Sequence, residues 1–288
     1  MCFGVKDAIA LALKTAKQEP LTILGDLVHN EAVLAELSAQ GIQVAQQPAD
    51  AATRTVMITA HGASERSLME TRSRGLNVLE ATCPLVHVAH HSLTRLVREG
   101  FYPVIIGKRD HVEVRGMTED LAEFDVVLCE NDIADLRERP RFGVIAQTTQ
   151  PIEKVRRLVQ TIRGRFSNSE VRFVDTVCQP TKQRQNAAIE LARHCDAVVV
   201  IGGAHSNNTR ELAETCSKIC PRVYHVQTAA DLRAEWFHAE DIIGITAGTS
   251  TPDAVINEIE HLLRDLAARG LFPAQKIGRS RESVFHTG

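Results

Sequence analysis

One spacing recurs along the 288-residue chain and constrains its fold more than any other feature. Gly107 lies 24 positions after Cys83, and Gly202 lies 24 positions after Cys178. Both intervals read as a strand, a Cys, a helix and a second strand ending in Gly: LEATCPLVHVAHHSLTRLVREGFYPVIIG against FVDTVCQPTKQRQNAAIELARHCDAVVVIGG. The start of the chain enters the same frame, with Gly25 placed 23 positions after Cys2. A second echo follows each copy, where an apolar strand runs into a polar turn: VMITAHGAS, VIAQTTQP and IGITAGTSTPD, aligning Ala60, Ala146 and Ala247. Self-similarity at a fixed period marks a repeated supersecondary unit. The chain reads as three copies of one α/β unit, 1–82, 83–177 and 178–270, followed by a C-terminal tail, 271–288.

Local patterns agree with the frame. Val5, Ile9, Ala12, Leu13 and Ala16 fall on one face of a helix. Pro84 and Pro180 sit just after their cysteines, where Pro is tolerated at a helix start. The runs Val104–Ile106 and Val198–Ile201 have the unbroken apolar character of parallel strands covered on both faces. Strands alternating with helices imply an α/β fold with right-handed crossovers. Three pseudo-symmetric α/β domains arranged around a common centre are the expected architecture.

That architecture gives the cysteines a purpose. Open α/β sheets bind ligands beyond the carboxyl ends of their strands, and each repeat sets its Cys at such an end, where a helix begins. A pseudo-threefold axis then brings Cys2, Cys83 and Cys178 together. A helix N-terminus stabilises a thiolate, and three converging thiolates call for a cation, an iron–sulfur cluster or zinc. No CxxC pair selects between them.

The same symmetry carries the residues after the other strands to the centre: His29, His61, His111, Glu113, Thr148, Thr149, Ser206, Asn207, Asn208 and Ser250. Neutral donors and histidines with a single carboxylate suit a diphosphate, whose oxygens accept hydrogen bonds from amide, hydroxyl and imidazolium groups. Neither a Walker loop nor GxGxxG is present, which weakens an ATP or dinucleotide reading. His87, His90 and His91 read as a hydrated helix face, Cys216 and Cys220 as a packing face, and Cys129, Cys195 and Trp236 as structural.

Composition narrows the alternatives. A net charge of −3 without a basic run argues against nucleic acid and anionic membranes as main partners. No apolar stretch reaches the roughly 18 residues of a spanning helix. Seven widely spaced cysteines, an odd count, do not form a disulfide scaffold. The N-terminus MCFGVKDAIALALK lacks the layout of a signal peptide, so a reducing cytoplasm is expected.

CFGV, VHN, AHG, ATCPLV, HVEVRG, QTT, a later Cys, SNNT, AGTSTPD and the tail RESVF occur in this order. In that order they resemble the 4-hydroxy-3-methylbut-2-enyl diphosphate reductases, iron–sulfur enzymes that end the non-mevalonate isoprenoid pathway. The resemblance implies a trefoil of three α/β domains in which Cys2, Cys83 and Cys178 ligate a [4Fe–4S] cluster with one open iron. It implies that His29, His61, His111, Ser206, Asn208 and Ser250 hold the diphosphate, and that Glu113 and Thr148 sit by the substrate hydroxyl. A small ferredoxin or flavodoxin is the implied electron donor. This chain departs from the pattern in three places. No strand precedes Cys2, which should expose a sheet edge and loosen the first ligand. Asn207 replaces a frequent Ser, and Lys108-Arg109-Asp110 is unusual. A paralogue acting on another small substrate and a non-enzymatic metal or cluster protein stand as the alternative readings.

Overall fold

The computed structural model describes residues 1–273. The RESVF segment and most of the tail lie outside the described residues. Each sheet is wholly parallel and draws its strands from one third of the chain. The first contains β1 (Leu21–Leu24), β2 (Gln43–Ala45), β3 (Thr55–Ile58) and β4 (Asn77–Glu80), in the order β2-β1-β3-β4. The second contains β5 (Tyr102–Ile106), β6 (Asp125–Val127), β7 (Arg141–Ala146) and β8 (Glu170–Phe173), in the equivalent order β6-β5-β7-β8. The third contains β9 (Ala197–Ile201), β10 (Val223–Val226) and β11 (Ile243–Ala247), in the order β10-β9-β11. Among the described residues its β11 has no neighbour on the side that β4 and β8 fill in the other two.

The helices repeat as well. α1 (Phe3–Ala16), α4 (Pro84–Arg98) and α8 (Gln179–Arg193) follow the three cysteines. α2 (Glu31–Ala39), α5 (Val112–Thr118) and α9 (Asn207–Ser217) follow the central strands. α3 (Glu65–Ser73), α7 (Ile152–Arg165) and α10 (Asp253–Ala268) follow the third strand of each set, and the short α6 (Glu130–Ala134) is extra. Among the described residues no helix is long and apolar enough to cross a membrane.

Burial explains the strand sequences. β9 is AVVVI and β5 ends in VII because both faces of a central parallel strand are covered; Val104–Ile106 and Ala197–Ile201 are wholly buried. Trp236 stacks on Tyr224 at 4.4 Å and packs within the third unit. In α1 the buried line is Gly4, Ala8, Ala12 and Thr15, with Val5, Ile9 and Leu13 only partly covered beside it. Small residues occupy the tightest line because α1 lies close to its neighbours. A Cβ on Gly4 would stand 2.6 Å from the Cys83 sulfur.

The unit that begins with a given Cys is not the unit that holds it. The Cys83 N–H donates to the carbonyl of Ala60 beyond β3 at 3.0 Å, and that of Cys178 to Thr148 beyond β7 at 3.0 Å. The Cys2 N–H donates to Thr249 beyond β11 at 2.9 Å. Each thiol hangs from the sheet before it, and the start of the chain closes the ring on the third.

Candidate active site

The carboxyl ends of the three sheets face one cavity of about 690 Å³, its open mouth included. Cys2, Cys83 and Cys178 line it, as N-caps of α1, α4 and α8. All ten of the polar residues expected at the centre line it too: His29, His61, His111, Glu113, Thr148, Thr149, Ser206, Asn207, Asn208 and Ser250. Apolar Val5, Val28, Ala60, Leu85 and Val86 complete the wall.

Two thiols behave differently from the helix-dipole expectation. Burial pushes the Cys83 thiol up, against the pull of the Leu85 and Val86 N–H groups. Burial also raises Cys178, opposed by Thr181, whose hydroxyl lies 3.0 Å from the sulfur. Desolvation outweighs the helix N–H groups, so a thiolate here depends on a bound cation.

Glu113 is 1% exposed and its carboxyl is pushed up to about 7 by burial. The Thr148 N–H donates to one oxygen at 2.6 Å and the Thr148 hydroxyl donates to the other at 3.0 Å, which limits the rise. A carboxyl raised towards neutrality can hold and release a proton at working pH, as a general acid requires.

The histidines form a tight group. The His29 and His61 rings stack with centroids 4.4 Å apart, and His111 stands edge-on to them at 5.3 and 5.6 Å. Burial lowers all three, His111 to about 3 and His61 well below its ordinary value. The free protein therefore holds neutral imidazoles rather than the imidazolium donors expected. His111 Nδ1 accepts the Glu113 N–H at 3.1 Å as N-cap of α5, which leaves the ring proton on Nε2.

Further donors come from the start of α9 and its surroundings. Ser206 caps the helix through the Thr209 N–H at 3.3 Å, and the Asn207 amide donates to the Thr149 hydroxyl at 3.3 Å. The Ser250 hydroxyl donates to the His29 carbonyl at 3.4 Å. His29 Nδ1 and Asn208 Nδ2 are buried without a hydrogen-bond partner. Orphaned polar atoms in a cavity wall carry a desolvation cost that a ligand with acceptors removes.

Sequence reasoning passed over Thr181 and Gly4, which also line the cavity. A hydroxyl three residues after an N-cap Cys is the signal for Thr181. Gly4 has only its place one turn into α1. His87 and His91 are exposed, as a hydrated face requires, but His90 is turned inward and its Nε2 is buried without a partner. Cys216 and Cys220 pack in the third unit.

The chain matches the model of the LytB protein family over residues 1–264. It is 38% identical over 261 residues to the 4-hydroxy-3-methylbut-2-enyl diphosphate reductase of Geobacter sulfurreducens, covering 90% of this chain and 92% of that one. The protein of the same name from Aquifex aeolicus is 34% identical over 271 residues, covering 92% and 93%. Among solved structures, an (E)-4-hydroxy-3-methyl-but-2-enyl diphosphate reductase, described as the terminal enzyme of the non-mevalonate pathway, aligns with a TM-score of 0.66 at 34% identity, covering 92% and 96%. The Plasmodium falciparum E-1-hydroxy-2-methyl-but-2-enyl-4-diphosphate reductase aligns with a TM-score of 0.86 at 24% identity, covering 96% and 88%, and shares the fold.

Proposed function

The chain belongs to the LytB protein family, and from that premise we propose that it reduces 4-hydroxy-3-methylbut-2-enyl diphosphate to isopentenyl and dimethylallyl diphosphates. The reaction consumes two electrons and two protons and releases the hydroxyl as water. One observation carries the reading: three N-cap thiols, the Glu113–Thr148 pair and a set of neutral donors open on one cavity.

The donor set suits a cluster. Among the described residues no three His, Cys, Asp or Glu side chains are disposed to ligate a single ion, yet three thiols border one cavity. Thiols spread around a space fit a polynuclear centre. Cys2, Cys83 and Cys178 would hold a [4Fe–4S] cluster with one iron free of protein thiolate. When bound, it supplies the electrons and polarises the departing hydroxyl.

The chain's own residues do the rest. His29, His61, His111, Thr149, Ser206, Asn207, Asn208 and Ser250 hold the diphosphate, and the orphaned His29 Nδ1 and Asn208 Nδ2 gain partners. A neutral His29 accepts a proton as the anion arrives, because the negative charge favours the imidazolium. Thr148 orients the substrate hydroxyl and passes it the proton of Glu113. A second proton completes the allyl fragment. The apolar wall of Val28, Leu85 and Val86 accommodates the five-carbon chain and excludes water. A ferredoxin or flavodoxin in the cytoplasm is the donor this chemistry calls for.

The test is conversion by anaerobically reconstituted protein with a chemical reductant. Formation of the two five-carbon diphosphates supports the reading. Absence of conversion by protein carrying its full iron and sulfide would overturn it in favour of another small substrate.

A further inference from the structure

We propose that Lys108, Arg115 and Arg210 form a cationic collar that draws the diphosphate into the central cavity and sets how fast the substrate associates. The proposal rests on the reading of that cavity as a diphosphate site.

All three lie within one turn of a cavity-lining residue. The His111 N–H donates to the Lys108 carbonyl at 3.0 Å, the Arg115 N–H to the His111 carbonyl at 2.9 Å, and the Arg210 N–H to the Ser206 carbonyl at 3.1 Å. Lys108 is half-buried, whereas Arg115 and Arg210 are exposed. Among the described residues none of the three has a carboxylate at ion-pair distance, although Lys154 and Lys182 pair with Glu211 and Asp175 at 3.5 and 2.7 Å. Their field reaches the site: all three act on His111, and Lys108 and Arg210 also act on His29. None of the three lines the cavity wall itself, and the opposing charges nearby are Asp26, 4.0 Å from His29, Asp110 in the Lys108 loop, and Glu70 and Glu119, which line a second pocket together with Arg115.

The cavity lining explains why such a collar is needed. Its histidines are neutral in the free protein, and its other donors are hydroxyls and amides. A diphosphate with about three negative charges loses much of its hydration on entering such a site. Cations one turn behind the wall raise its local concentration and oppose that loss, without clamping the product. The chain as a whole carries a charge of −3, so this attraction is local.

Across roughly 10 Å of screened solvent, removing one such charge changes association by on the order of twofold, and removing all three by about tenfold. The test uses K108Q, R115Q, R210Q and the triple variant. The expected result is an unchanged kcat, a kcat/KM lowered by those factors, and a flatter dependence of kcat/KM on salt. Titration of cluster-free protein with inorganic diphosphate should show the same weakening. A triple variant with wild-type kcat/KM, salt dependence and diphosphate affinity would overturn the collar. Wild-type protein that binds diphosphate in a salt-dependent, collar-dependent way but never reduces the substrate would refute the reaction and still support the collar.

Discussion

Replacing Glu113 by Gln separates the two consequences of burying a carboxyl group beneath Thr148. Burial raises the group from an ordinary 4.5 to about 7. Its folded value is the higher one, so the sign is the reverse of a salt-bridged carboxylate. Below pH 4.5 both folded and unfolded chains hold the proton and nothing is lost. As pH rises the unfolded chain ionises first, and stability falls until the folded carboxyl ionises at about 7. At about 1.4 kcal/mol per factor of ten in proton affinity, the full penalty is about 3 kcal/mol. Only a minor part of it is present at pH 5, and nearly all of it at pH 8. A Gln side chain keeps an acceptor for the Thr148 N–H and lets the hydroxyl accept in turn, so it carries no such penalty. The stability of E113Q relative to wild type should therefore grow by roughly 2 kcal/mol between pH 5 and pH 8, read from urea unfolding of cluster-free protein. Turnover should drop by roughly 10²–10⁴-fold because the acid is gone, with iron and sulfide content unchanged. A stability difference that is flat with pH would refute the burial argument. Near-normal turnover would refute the catalytic one.

Other perturbations follow from the same geometry. Thr148→Val removes a hydrogen bond to the Glu113 carboxylate, so Glu113 should rise further; kcat should fall and its alkaline decline should move to higher pH in an anaerobic pH profile. Binding of inorganic diphosphate should take up protons at His29, His61 and His111, which burial holds neutral in the free protein. Calorimetry in buffers of different ionisation enthalpy measures that uptake, and affinity should rise as pH falls; zero uptake would count against the assignment. Gly4→Ala places a methyl 2.6 Å from the Cys83 sulfur, so it should cost about 1–3 kcal/mol of stability and reduce the iron and sulfide retained on reconstitution.

The repeat made much of this molecule readable before any coordinates. Interval lengths along the chain report on local units, so the Cys–helix–strand–Gly frame located the three cysteines and the polar strand ends. Contacts between units leave a weaker trace. Gly4 looks like any helical glycine until α1 is laid against Cys83. His90 shares its helix with two exposed histidines, and only packing decides which of the three turns inward. The histidines were expected as charged donors because diphosphate suits cations. Their neutrality comes from desolvation, a property of the assembled cavity that no spacing encodes.

The unpaired side of β11 bears on how the protein is best produced. Met1 lies within 3.2 Å of Asp253, at a groove lined by Cys2, Arg184, Ile245, Ala247 and Ile256. Residues fused ahead of Met1 as a purification tag would start beside that groove and one of the three thiols, along a side of β11 that has no strand partner among the described residues, although its Ala247 carbonyl already accepts from Arg184. Two preparations differing only in the end that carries the tag should thus differ in their tendency to self-associate and in how readily Cys2 is alkylated.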